Sequence, residues 1–96
     1  MKENSLYDKK SLKTVVGKTA DFAELAKDCV AFSNAQGGVI DIGIENEDTL
    51  PPASQRVPED LPTTIVNKIS GMTHAVITTT EKSTAENGGE FVKLFI

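Results

Sequence analysis

From Asp21 onward the chain repeats apolar positions three or four residues apart, at Phe22, Leu25, Cys29 and Phe32, the period of one face of a helix. Asp21 followed by Glu24 makes a capping-box-like start to that helix. Gly37 then falls where a helix end takes a residue of positive φ, and Gly38 lets the backbone reverse tightly. Residues 39–44, VIDIGI, form a β-rich run of strand length. Alternation along it places Ile40, Ile42 and Ile44 on one face and Val39, Asp41 and Gly43 on the other.

The second half repeats this logic more weakly. A loop with three prolines follows residue 46, and Leu61, Ile65, Ile69 and Met72 then recur at helical spacing. They predict a helix over residues 61–70, with Pro62 tolerated in its first turn and Gly71 capping its end. Residues 75–81 and 90–96 read as strands around KSTAENGG, where Asn87-Gly88 is a hairpin signal. A short strand over residues 7–12 precedes the first helix. The order β-α-β-α-β-β predicts an α/β domain of α+β type, a mixed sheet of about four strands with two packed helices.

Composition narrows the picture. The 96 residues, 39% hydrophobic, describe one small domain with a thin core. One cysteine excludes an internal disulfide framework, and with only His74 beside it the usual Cys/His zinc patterns are excluded too. Cys29 lies on the apolar helical stripe and reads as a small buried hydrophobe; His74, in a turn, reads as solvated. The N-terminus lacks the apolar core of a signal peptide and no run approaches the roughly 18 apolar residues of a membrane span, which implies a cytoplasmic protein without membrane contact. The chain ends on the apolar FVKLFI, which we expect to continue into C-terminal domains of a longer protein.

A net charge of −4 argues against a generic nucleic-acid binder, but the charges are polarised. Residues 1–18 carry five lysines against two acids, whereas residues 41–60 carry one arginine against six acids. Each block is also what a solvated surface looks like.

The chemistry on offer is limited. Gly37-Gly38 lies after a helix and before a strand and is not followed by Lys-Ser/Thr, which excludes a phosphate-binding P-loop. His74 has no serine in an elbow motif. Glu3, Asp8, Asp41, Glu45, Glu47 and Asp48 are oxygen donors suited to Mg²⁺ or Mn²⁺, and a solvated acidic loop is the plainer account of their spacing.

AFSNAQGGVIDIGIENED, residues 31–48, resembles the signature of the Schlafen AlbA-like domain: Ala-Phe-Ala-Asn, a short spacer, Gly-Gly, an apolar strand, Gly-Val and two acids. Phe32, Asn34, Gly37, Gly38, Gly43 and Ile44 fall on that motif. The family also tends to open with Glu, four residues, then Glu-Phe-Lys. Here Glu3 and Asp8 keep the spacing, with Asp for Glu and Lys9 for Phe. The resemblance implies an Alba-like fold. It also implies a DNA-binding module such as bacterial transcriptional regulators and RecG-related, helicase-annotated proteins carry near their N-termini. In the animal Schlafens the same domain binds and cleaves RNA with three carboxylates. Carried over, Glu3 and Asp8 match the first two carboxylates, while the third position is Asn46, which offers a carbonyl and no charge, so that a divalent ion would be held more weakly unless Glu45 or Glu47 substitutes.

The leading expectation is therefore a nucleic-acid-binding module, DNA or RNA, binding weakly and with strong salt dependence, with Lys9, Lys10 and Lys13 as phosphate contacts. Its rivals are a metal-dependent endoribonuclease using Glu3, Asp8 and Glu45 or Asn46 with a weakly held Mg²⁺ or Mn²⁺, and a protein-interaction or homodimerisation domain. No other cofactor is expected.

Overall fold

A computed structural model describes residues 6–96. β1 (Leu6–Lys10) leads through two 3-10 turns, Leu12–Thr14 and Gly17–Thr19, into α1 (Phe22–Asn34); β2 (Gly38–Ile42), α2 (Leu61–Met72), β3 (Thr79–Thr84) and β4 (Glu90–Phe95) follow. The four strands form one sheet in the order β1-β2-β4-β3. β1 and β2 run parallel, joined by α1, while β4 pairs antiparallel with both β2 and β3. The mixed sheet and two helices are the expected α+β architecture.

The first helix forms as its sequence dictates. Asp21 caps it, its Oδ1 accepting from the Glu24 N–H at 3.0 Å, and its stripe of Leu25, Cys29 and Phe32 is buried. Past its end the Gly37 N–H donates to the Phe32 carbonyl at 2.8 Å, with Gly37 at φ 78°. A side chain here would be doubly resisted, because a Cβ would also run into the Ile96 backbone carbonyl. Gly38 brings β2 against the backbone of Leu6. The glycine pair thus reverses the chain and lets the parallel strand approach.

The core lies on one side of the sheet. Leu25, Cys29 and Phe32 of α1 and Leu61, Ile65 and Ile69 of α2 pack with Ile40 and Ile42 of β2 and Val92 and Leu94 of β4. Both helices therefore cover the face formed by alternate residues of each strand. The opposite face carries no helix among the described residues.

Four details depart from the sequence expectations. β2 stops at Ile42, because Gly43 takes φ 120° and turns the chain out of the strand. Ile44 is consequently buried not with Ile40 and Ile42 but beside Asp41 and Phe91 on the other side. α2 runs through Gly71 to Met72, and its stop is Thr73, whose hydroxyl donates to the Ile69 carbonyl at 2.7 Å. The third strand is Thr79–Thr84 rather than residues 75–81. Ala75 has φ 62°, which breaks extended structure there, and Thr79 is the residue paired with Phe95 at the end of β4. Finally, β1 ends at Lys10, where Ser11 begins the 3-10 turn, its Oγ accepting from the Lys13 N–H at 3.3 Å.

The proline-rich loop between β2 and α2 is pinned by Gln55. Its Nε2 donates to the carbonyls of Gly43, at 2.9 Å, and Glu90, at 2.8 Å, and its own carbonyl accepts from the Glu90 N–H. One amide side chain thus ties the loop to the ends of two strands.

Candidate functional site

β1 divides its charged residues between the two sides of the sheet. Asp8 and Lys10 face the helices, where the Lys10 ammonium lies 2.6 Å from Asp28 Oδ2 on α1 and 3.9 Å from Asp8. The contact with Asp28, reinforced by the Asp28, Asp8 and Glu24 charges and opposed by burial, holds Lys10 above its ordinary pKa. Asp28 Oδ2 is buried with no well-aligned hydrogen bond; Lys10 meets it as a charge. Lys10 is therefore committed within the protein to Asp28, with Asp8 nearby.

On the opposite side Tyr7 and Lys9 of β1 stand beside Asp41 of β2 and Lys93 of β4. The Tyr7 hydroxyl donates to Asp41 Oδ2 at 2.7 Å, and the Lys93 ammonium donates to Asp41 Oδ1 at 3.2 Å. Asp41 is only 5% exposed, so both of its oxygens are satisfied by neighbours rather than by water. Partial burial, the hydrogen bond to Asp41 and the charges of Asp41 and Asp8 push the Tyr7 phenol up to about 12. The Lys93 ammonium also lies 5.3 Å from the centre of the Phe91 ring, within cation–π range. Lys9 donates to the Asp48 carbonyl of the acidic loop, which leaves its charge in place.

The other expected residues are distributed as follows. Lys13 is exposed on the turn after β1. Phe32 is core and Asn34 is the exposed last residue of α1. Gly37, Gly38 and Gly43 shape the backbone, as described above. Glu45 is half-buried and Asn46 exposed just beyond β2, and Glu3 lies outside the described residues. Cys29 is fully buried, and burial with the Asp28 charge raises its thiol to about 11. It is core, not a nucleophile.

Among the described residues the carboxylates do not gather into a site for a divalent ion. Asp8, the described member of the first two carboxylate positions, has the Lys10 ammonium beside it, and Asp41 is committed on the opposite face to Tyr7 and Lys93. Among the described residues no group of three or more His, Cys, Asp or Glu could hold a metal ion.

Among the described residues, one concavity borders the sheet and another the helices. One, about 360 Å³, lies where the proline-rich loop meets the helix-free face, between Leu50, Pro51, Phe91 and the Asp41–Lys93 pair. The other, about 760 Å³, is an apolar groove between α1 and α2, where Val30 and Met72 are exposed.

Asp28, Gln55 and Lys93 are not legible as site residues from local pattern, since each acquires its role only through a distant strand or helix. Alternation along residues 39–44 does put Asp41 on the face opposite the core, which is the one local hint of a carboxylate needing partners.

A parallel β-α-β unit carrying the Gly-Gly turn, extended by an antiparallel hairpin, defines a small α+β module. The chain belongs to the Schlafen AlbA_2 family, whose model matches residues 2–95. No curated protein matches it, and no solved structure does.

Proposed function

We propose that this chain is a nucleic-acid-binding module, a cytoplasmic DNA-binding domain belonging to a bacterial transcriptional regulator or RecG-related helicase-like protein. The observation that carries this reading is the family match over nearly the whole chain, residues 2–95, since the Schlafen AlbA-like domain serves as a DNA- or RNA-binding unit. The disposition of the lysines supports it. Lys9 keeps its charge at the helix-free face and Lys13 is exposed on the adjoining turn. Lys10, paired with Asp28, is the weakest of the three candidate contacts. No helix among the described residues is long and apolar enough to cross a membrane.

Reversing two phosphate-facing charges tests the reading. The double variant Lys9→Glu, Lys13→Glu is expected to bind a DNA duplex at low salt about tenfold or more weakly than the native chain, because each contact releases a condensed counterion. Unchanged affinity would contradict the proposal.

A self-association reading has one observation of its own, the groove between α1 and α2. In a two-fold pairing the exposed Met72 of each copy would enter the alanine-lined groove of the other. A monomer by sedimentation at high concentration would contradict it.

A further inference from the structure

The side chains on the helix-free face fall into rows set by strand register. Tyr7, Val39, Phe95 and Thr79 are successive partners across β1, β2, β4 and β3. The next row, two residues along each strand, is Lys9, Asp41, Lys93 and Glu81. An aromatic row therefore borders a charged one on a surface without a helix among the described residues. Tyr7 is 56% exposed and Phe95 37%, unusual for aromatic rings that a core could have used. Their backbones are two strand spacings apart, roughly 10 Å, with the smaller Val39 side chain between them.

We infer that this face is a stacking platform for single-stranded nucleic acid, with Tyr7 and Phe95 taking bases and Lys9 and Lys93 meeting the adjoining backbone. The inference rests on the nucleic-acid reading above and adds to it the form of the ligand and the surface that receives it. Unpaired bases expose their faces to aromatic rings, whereas duplex bases are already stacked on one another. The ring of Tyr7 is held in place beforehand, because its hydroxyl is tied to a carboxylate that is itself tied to Lys93, which lowers the cost of ordering it on binding.

Charge distribution gives the platform a separable signature. Lys9 and Lys93 share their row with Asp41 and Glu81, two cations against two anions. Stacking on Tyr7 and Phe95 contributes a factor to affinity that changes little with salt, unlike the lysine–phosphate contacts.

The test is titration of a labelled oligothymidine of about twelve nucleotides, within the site sizes of known single-strand binders, beside the matching duplex. Tyr7→Ala and Phe95→Ala are each expected to weaken single-strand binding about fivefold or more, by a similar factor at low and high salt. Tyr7→Phe, which keeps the ring, is expected to change it less than about twofold. Tyr7 is the only tyrosine in the chain, so its ring-proton resonances in the native protein report stacking directly and are expected to move upfield. Single-strand binding by the native protein with unmoved Tyr7 resonances and unaffected alanine variants would overturn the platform and leave the nucleic-acid reading standing. Tighter binding of the duplex would do the same. No binding of either form would overturn both.

Discussion

Tyr7 and Asp41 meet diagonally across the parallel β1–β2 pair, with the phenol donating to the carboxylate at 2.7 Å. The partners differ in what they can do without each other. Tyr7 is more than half exposed and Lys93 is also in contact with water, whereas Asp41 is 5% exposed. Losing the cation therefore strands a buried carboxylate, while losing the phenol hydroxyl removes one of two partners. Lys93→Ala is expected to cost about 2–3 kcal/mol and Tyr7→Phe about 1 kcal/mol or less. Urea denaturation of the two variants checks the ranking, and equal costs would show that Asp41 draws its stability from elsewhere.

Gly37 combines a positive φ with the Ile96 carbonyl where a side chain would begin. Gly37→Val is expected to destabilise the domain by more than about 1 kcal/mol, since a β-branched residue resists the left-handed region. An unfolding midpoint equal to that of the native chain would show that the helix-to-strand turn has another solution.

Stability is expected to fall in alkali, and the sign follows from raised pKa values. The Cys29 thiol rises from 9.0 to about 11 and the Tyr7 phenol from 10.0 to about 12. Each contributes stability that is fully present below its unfolded value and is lost as pH rises through its folded one. Melting temperatures should therefore hold to about pH 9 and decline above it. Cys29→Ala should flatten the first part of that decline, whatever it does to stability at neutral pH.

The local half of this fold is plain in the sequence. Asp21 with Glu24, the stripe from Leu25 to Phe32 and the Gly37 turn are decided by residues within a few positions of one another. What depends on sheet order is not. Asp41 and Lys93 are 52 residues apart and meet only because β4 inserts beside β2. The apolar Ala75, Val76 and Ile77 suggest a strand, yet the hairpin register starts β3 at Thr79 and leaves Ile77 exposed. Ile44 follows the alternation of its neighbours in sequence but not in space, because Gly43 breaks the strand. Among the candidate site residues, Lys9, Lys10 and Lys13 look equivalent in the sequence, and only the position of Asp28 on α1 separates Lys10 from the other two.

With Asn46 where the resemblance places a third carboxylate and Lys10 beside Asp8, cleavage of single-stranded or structured RNA in Mn²⁺ is expected to stay near background. A phosphodiesterase concentrates negative ligands to hold its metal against a polyanion, and Asn46 brings no charge to that task. Comparison of the native chain with Glu3→Ala and Asn46→Asp checks this. Strong native cleavage abolished by Glu3→Ala would replace the binding module with a nuclease.

Salt dependence of nucleic-acid binding bears most directly on the central claim that this module holds nucleic acid through a few lysine–phosphate contacts. Measured by fluorescence anisotropy from about 50 to about 200 mM salt, affinity for DNA should fall roughly fortyfold, linearly in log–log form, as expected for about three contacts. The slope should become shallower in the Lys9→Glu, Lys13→Glu variant. No binding at the lowest salt, or affinity unchanged across that range, would contradict the account.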